Sequence, residues 1–149
     1  MPMIDLTVET DALDEAAREQ LARDLLAALL RWEGAPDNSR SRSLAWAFVH
    51  VVDRIVVGEP TSSQPHYRVG VRTPAGALDD RRREGLIAEA TALVLNAEGL
   101  SPQPDDAFRV WVILDEVADG SWGAQGKVWR LTDIATFVTT SAASAGVDR

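Results

Sequence analysis

The chain repeats itself at a spacing of 65 residues. Ala-Leu-Asp-Glu at positions 12–15 returns as Ala-Leu-Asp-Asp at 77–80, Glu33-Gly34 returns as Glu98-Gly99, and Trp46 returns as Trp111. Two copies of one supersecondary unit explain these matches at a single spacing better than coincidence does. The duplication therefore predicts a fold built from two similar halves.

Each half has the periodicity of a strand, a helix and a second strand. Polar and apolar residues alternate at 3–8 and 67–72, and apolar residues recur at helical spacing through 14–33 and 79–98. Residues 44–52 and 108–117 are rich in β-branched and aromatic side chains, as closing strands are. The long crossover between two strands predicts that they are parallel. We expect an α/β fold of the two-layer α+β kind, in which duplicated β-α-β units form a four-stranded sheet with both helices on one face.

The length of 149 residues suits a single domain. We expect that domain to span residues 1–140, with units at 2–57 and 66–134. The connection at 53–65 is rich in Gly, Pro and Ser, which favours a loop. Residues 141–149 are rich in Ala and Ser, so we expect a disordered tail.

The sheet face opposite the helices is predicted to carry large apolar side chains. Trp46, Phe48 and His50 alternate along one closing strand, and Trp111 and Ile113 along the other. Such a patch is too apolar to remain in water. We therefore expect this face to pack in an oligomer, with His50 as a hydrogen-bonded residue of the interface.

Composition excludes several kinds of partner and site. The formal net charge of -8 repels phosphate backbones, so no nucleic acid partner is expected. The chain has no Cys and only 2 His, so we expect neither a metal nor another cofactor. The first residues are unlike a signal peptide, and no stretch approaches the roughly 20 apolar residues of a membrane helix. We expect a cytoplasmic protein with no membrane partner.

Three features together are similar to the tautomerase superfamily. Pro2 follows Met1 and heads the first strand of a duplicated β-α-β chain, and residues 119–126 read Asp-Gly-Ser-Trp-Gly-Ala-Gln-Gly. That segment resembles the glycine-rich hairpin after the last core strand of 4-oxalocrotonate tautomerase, with Trp122 at its aromatic position. Residues 129–132 resemble the malonate semialdehyde decarboxylase branch. The resemblance implies a homotrimer that uses Pro2 as a catalytic amine.

Pro2 can supply acid–base chemistry only if Met1 is removed, because an amide nitrogen has no basic lone pair. A free α-amino group has a pKa of about 8. Burial and a nearby guanidinium both disfavour its charged form and bring the pKa towards neutrality. An amine of that kind can move a proton between two carbon atoms, with a rate advantage on the order of 10²–10⁴.

The expected substrate is a small anion, whose carboxylate and enolate charge call for cationic or hydrogen-bonding groups. The candidates are Arg40, in the loop before the second strand, Arg72, at the end of the third, and Arg109, at the start of the fourth. Trp122 is expected either to line the pocket or to contact another subunit.

The leading hypothesis is an isomerase that acts on a small 2-oxo or 2-hydroxydienoate-like acid through a dienolate. The alternatives are a hydratase, decarboxylase or dehalogenase of the same superfamily, or a non-catalytic trimeric binding protein. Leu29 occupies the position of the dehalogenase's helical histidine, and the decarboxylase's loop aspartate falls near Ser39. These two departures count against close copies of either enzyme.

Overall fold

A computed structural model describes residues 2–59, 63–100 and 103–140. The four long strands are β1 (Met3–Glu9), β2 (Trp46–Val52), β3 (Tyr67–Pro74) and β4 (Val110–Val117). The two long helices are α1 (Glu15–Glu33) and α3 (Asp80–Ala97). The shorter elements are α2 (Ser39–Leu44), α4 (Pro104–Ala107), β5 (Gly123–Ala124), β6 (Lys127–Val128) and α5 (Leu131–Thr139). The predicted disordered tail at 141–149 lies outside the described residues.

The four long strands form one sheet in the order β2-β1-β3-β4. Strand β1 is parallel to β2, β3 is parallel to β4, and the two central strands are antiparallel. The predicted pair of β-α-β units is therefore confirmed. Because the central strands run in opposite directions, the first residues of the two units lie at opposite ends of the sheet. We call these the Pro2 end and the Tyr67 end.

Both long helices pack on one face of the sheet, as predicted. Ile4, Leu6 and Val8 of β1 face them and are essentially inaccessible, as are Val69 and Val71 of β3. Burial of this apolar face is the main driving force for the fold.

The helix termini follow the sequence closely. Asp14 and Asp79 cap α1 and α3 by accepting hydrogen bonds from the backbone N–H groups of Ala17 and Arg82. Gly34 ends α1 at φ 72°, a left-handed conformation that glycine adopts without steric cost.

Two helices differ from the sequence-based expectation. The loop expected before the second strand contains α2, which Asn38 caps with its side chain, so Arg40 lies on a helix. Helix α5 was not predicted. Its Phe137 packs edge-on against Trp129, and the two helices are joined by a hydrogen bond from Asn38 Nδ2 to the carbonyl of Val138. In the part of the chain that the structure describes, no helix is long and apolar enough to cross a membrane.

The other face of the sheet is open in the single chain. In register, its outer strands carry Trp46, Phe48, Trp111 and Ile113 together with His50 and Asp115, and its central strands carry Asp5, Thr7, Arg68 and Arg72 together with Met3 and Gly70. Trp46 and Trp111 are 61% and 66% exposed. We call this surface the open face.

Candidate active site

Pro2 is buried at the N-terminal edge of β1. Its carbonyl oxygen accepts a hydrogen bond of 3.2 Å from the backbone N–H of Trp46, which fixes it beside the first residue of β2. Met3, the next residue, is in register with Trp46 on one side and Arg72 on the other. Pro2 therefore lies where three strands, β1, β2 and β3, meet at one end of the sheet.

Arg72 is the predicted site residue that the register brings nearest to Pro2. Its guanidinium lies on the open face and donates a 3.0 Å hydrogen bond from Nη1 to Asp5 Oδ2. The other oxygen of Asp5 is 2.7 Å from Nε2 of His50, so one carboxylate joins the Arg72 and His50 side chains. The Arg72 side chain is 48% exposed, which leaves its remaining donors accessible to a substrate anion.

The hydrogen bond predicted for His50 is present, with Asp5 as its partner. Sequence reasoning did not single out Asp5. Its position on the outward-facing side of β1 was visible in the strand alternation, but its cross-strand partners depend on the register.

Arg40 is committed to α5. Its Nη1 donates a 3.1 Å hydrogen bond to the carbonyl of Phe137, and its guanidinium carbon lies 5.0 Å from the centroid of that ring. This combination of hydrogen bond and cation–π contact joins α2 to α5. The geometry gives Arg40 a structural task that the sequence did not reveal.

Trp122 packs with Trp129, Ile134 and Leu44 in a second apolar cluster, separate from the main core. It precedes the β5–β6 hairpin, and the Trp129 N–H donates a 2.8 Å hydrogen bond to its carbonyl. The hairpin turns through Gln125 and Gly126, both at positive φ. Trp122 also lines a cavity of about 680 Å³ formed by residues 120–128. Both alternatives for its role, pocket wall and subunit contact, stay open.

Arg109 lies at the Tyr67 end, away from Pro2, and is 6% exposed. Its Nη1 and Nη2 bind the two oxygens of Glu98 at 3.1 and 2.7 Å, and Nη1 also donates to the carbonyl of Pro65 at 2.7 Å. The hydroxyl of Tyr67 donates to the same Glu98 at 2.7 Å. These bonds to Glu98 raise the pKa of Arg109 further. Arg109 is thus occupied by a buried internal ion pair.

The structure adds Glu33, a residue that the sequence did not single out for function. It is the last residue of α1, at the Pro2 end, and its Oε1 is buried without a hydrogen-bond partner. Burial raises its pKa from 4.5 to about 7, and the positive amino terminus opposes this increase. The repeat match with Glu98 was visible in the sequence, but neither carboxyl's surroundings were.

Buried polar side-chain atoms without partners are rare in folded proteins, and they mark strained or functional places. Among the described residues there are four: Glu33 Oε1, Ser41 Oγ, Trp129 Nε1 and Arg109 Nε. Glu33 ends α1 at the Pro2 end. Ser41 lies on α2, the helix before β2, and Trp129 lies between β6 and α5 in the cluster with Leu44. Only Arg109 of the four belongs to the Tyr67 end.

Two further cavities lie away from Pro2. Cavities of about 720 and 480 Å³ open at the Tyr67 end, under residues 53–59 and 63–66. Neither is lined by Pro2 or Glu33. At the Pro2 end lie Pro2, the half-exposed Arg72 guanidinium and the Glu33 carboxyl, whereas the buried Arg109 and Glu98 of the Tyr67 end bind each other. In the described ranges no group of His, Asp and Glu side chains could hold a metal ion.

No protein-family model and no curated protein matches the sequence. The fold, however, matches many solved structures. A member of the cis-3-chloroacrylic acid dehalogenase family is 16% identical, with a TM-score of 0.67 over 85% of this chain and 82% of that chain. A protein inactivated by 2-oxo-3-pentynoate is 18% identical, with a TM-score of 0.66 over 85% and 94%. A fused 4-OT described as a symmetric trimer is 20% identical, with a TM-score of 0.66 over 93% and 99%.

These likenesses establish the fold: the chain has the architecture of the tautomerase superfamily. The predicted duplicated β-α-β fold and its resemblance to that superfamily are both confirmed. At identities of 20% or less, these likenesses show the fold and do not show the reaction.

Proposed function

We propose that the chain, once Met1 is removed, is a Pro2-dependent isomerase of small 2-oxo or 2-hydroxydienoate-like acids. The observation that carries this proposal is the position of Pro2, buried at a sheet end where Arg72 follows in register on the neighbouring strand. The Pro2 amine takes a proton from one carbon of the substrate and returns it to another through a dienolate. Such transfer needs an amine that is neutral in part of the population near pH 7.

Arg72 is the proposed anchor for the substrate carboxylate. It is half exposed and, among the described residues, bonds to the side chain of Asp5, whereas Arg109 is buried with Glu98 and Arg40 is engaged by Phe137. A charge-assisted hydrogen bond to Arg72 would hold the substrate near Pro2. Trp122 is proposed as a contact of the pocket or of a neighbouring subunit.

A second candidate is favoured by Glu33. A hydratase, decarboxylase or dehalogenase of this fold uses protonated Pro2 as an acid and requires a further group to direct water. A carboxyl whose pKa is about 7 is present in both charge states near neutral pH and is suited to that task. This candidate shares Pro2 and Arg72 with the first and differs in the substrate.

We propose a homotrimer as the working form. The open face exposes Trp46, Phe48, Trp111 and Ile113, a surface that a monomer would leave in water. Cyclic symmetry lets one such face bind its own copies three times. A fused 4-OT of the same fold is a symmetric trimer, and we extend that assembly to this chain as part of the proposal.

The direct test is an assay on phenylenolpyruvate and 2-hydroxymuconate, with the N-terminus verified by intact mass. We expect turnover by protein that begins at Pro2, and a loss of about 10²-fold or more in kcat/KM for Pro2→Ala. Alanine retains a primary amine, so some activity should survive. Protein that keeps Met1 should be less active than Pro2→Ala, because its Pro2 nitrogen is an amide.

Folding is checked in each case by circular dichroism, since position 2 opens a strand and tolerates substitution. A fully active Pro2→Ala protein, or normal turnover with Met1 still attached, would show that Pro2 is not the acid–base group.

A further inference from the structure

The duplication relates Pro2 and Glu33 to a pair whose contacts are visible. At the repeat spacing of 65 residues, Pro2 matches Tyr67 and Glu33 matches Glu98. In the second unit the carboxyl at the end of the helix reaches the first residue of the strand, because Tyr67 donates to Glu98 at 2.7 Å. The first unit has the same order of helix, glycine and strand, so the Glu33 carboxyl lies at the Pro2 end, where the positive amino terminus acts on its pKa.

The two carboxyls differ in what neutralises them. Glu98 is held by both nitrogens of Arg109. The residue that matches Arg109 in the first unit is Leu44, which has no charge. Pro2 has no hydroxyl to match that of Tyr67. The carboxyl of the first unit thus retains its place and has lost both of its side-chain partners.

The other charged groups near the end of α1 are already paired. Arg31 binds Glu89 on α3, Arg42 binds Asp37, and Arg72 binds Asp5 on β1. Arg82 reaches Gly34 from α3 and lies 3.9 Å from Asp79. Arg40 on α2 is engaged by Phe137. None of these groups forms a hydrogen bond to Glu33 among the described residues.

Helix α1 itself favours a positive group beside Glu33. Its C-terminus carries the negative end of the helix dipole, which disfavours the carboxylate and favours a positive group beside it. Trp32 holds this end in place. Its indole packs where a side chain on Gly85 would collide, and its Nε1 donates to Glu89 at 2.8 Å. Glu33 is therefore presented by a fixed helix end.

We propose that Glu33 is the acid–base partner of Pro2, so that its carboxylate accepts a hydrogen bond from the protonated Pro2 amine. This inference rests on the proposed function in one respect only, which is that Met1 is removed. Glu33 acts through Pro2 and is a positioning residue. The two groups hold one proton between them near neutral pH and titrate as a coupled pair.

The pairing has a consequence for the chemistry. A carboxylate beside the amine stabilises its charged form, so Pro2 returns its proton to the substrate from a hydrogen-bonded state of fixed orientation. The amine would otherwise be held neutral by burial alone. The site then suits substrates that must gain a proton at carbon as well as lose one.

The test is an NMR titration of the Pro2 amine in substrate-free protein selectively labelled with ¹⁵N-proline. In Glu33→Gln the pKa of the Pro2 amine should fall by about one pH unit or more. A neighbouring opposite charge typically shifts a pKa by about 1–3 pH units. The acidic limb of kcat/KM should move by the same amount. Glu19→Gln is the matched control, because it removes an exposed carboxylate from α1 far from its C-terminal end and should leave both values unchanged.

An unchanged Pro2 pKa in Glu33→Gln would overturn the inference, even if the enzyme is an isomerase. If the wild type is inactive but the Pro2 pKa still differs between wild type and Glu33→Gln, only the proposed function is contradicted. If Glu33→Gln does not fold, titration of the wild-type protein tests the pairing instead. The Glu33 carboxyl carbon must then titrate in two steps shared with the Pro2 nitrogen, and retention of Met1 must change that titration. A single independent step, identical in both forms, contradicts the pairing.

Discussion

The two ends of the sheet were built from one repeated pattern and now differ in chemistry. At the Tyr67 end a buried carboxyl, Glu98, is bound by Arg109 and by a tyrosine hydroxyl. At the Pro2 end the matching carboxyl, Glu33, has a buried oxygen without a partner. Burial raises the pKa of Tyr67 as well, and its bond to Glu98 adds to the effect, so this hydroxyl stays protonated.

The difference shows how a duplicated fold acquires one site. The fold needs both carboxyl positions only as helix ends, and the second unit stabilises its carboxyl with an internal cation. The first unit leaves the same position without a side-chain cation, and under the proposed function this frees the carboxyl for chemistry. We propose the Pro2 end as the site because of this unequal satisfaction of matched polar groups, and not because of cavity volume.

The largest expected effect is on stability at the Tyr67 end. Glu98→Gln should lower the free energy of unfolding by about 3 kcal/mol, because the buried Arg109 guanidinium loses its closest counter-charge and keeps only Asp106 at 3.7 Å. The matched change Glu33→Gln removes no side-chain hydrogen bond seen in the structure and should cost about 1 kcal/mol or less. Chemical denaturation of both variants at pH 7 measures the contrast, and equal losses would mean that the two ends are alike.

The same variants carry a pH signature. Since burial raises the pKa of Glu33 to about 7, the folded protein binds a proton that the unfolded chain has released between its ordinary value of 4.5 and that pH. The free energy of unfolding of the wild type should therefore fall, relative to Glu33→Gln, as the pH rises from about 5 to 8. Parallel curves would contradict the raised pKa.

A smaller effect is expected at Arg72. Arg72→Ala should raise KM for an anionic substrate by roughly 10- to 100-fold, as expected for a charge-assisted pair of about 1.5–3 kcal/mol. Arg68→Ala is the matched control, because Arg68 lies on the same strand and face but at the Tyr67 end, where it bonds to Thr7 at 3.1 Å. If both variants raise KM equally, the carboxylate is not held at the Pro2 end.

The architecture could be predicted from the sequence because the spacing of apolar residues differs between strands and helices. Alternation in β1, the apolar stripe of α1 and the caps at Asp14 and Gly34 are local signals, and each element was found within about two residues. Helix α5 was missed because its stability comes from packing of Phe137 on Trp129 and from Asn38, partners distant in sequence.

The site was only partly predictable for the same reason. Pro2 was predicted through resemblance to a family and Arg72 through its position at the end of a strand, and both roles stay predictions. The role of Arg109 could not be foreseen, because its partner Glu98 meets it only after the fold forms. Glu33 matched Glu98 in sequence, and nothing local indicated that one is paired and the other is not.

Covalent trapping tests the central claim, that chemistry is confined to the Pro2 end, most directly. An activated alkyne acid such as 2-oxo-3-pentynoate, which inactivates a protein of this fold, can capture a basic amine next to a carboxylate-binding group. Incubation followed by peptide mass mapping should give one adduct, on the peptide that begins with Pro2, and none in protein that retains Met1. A failure to label, or an adduct on any residue of the Tyr67 end, would contradict the account.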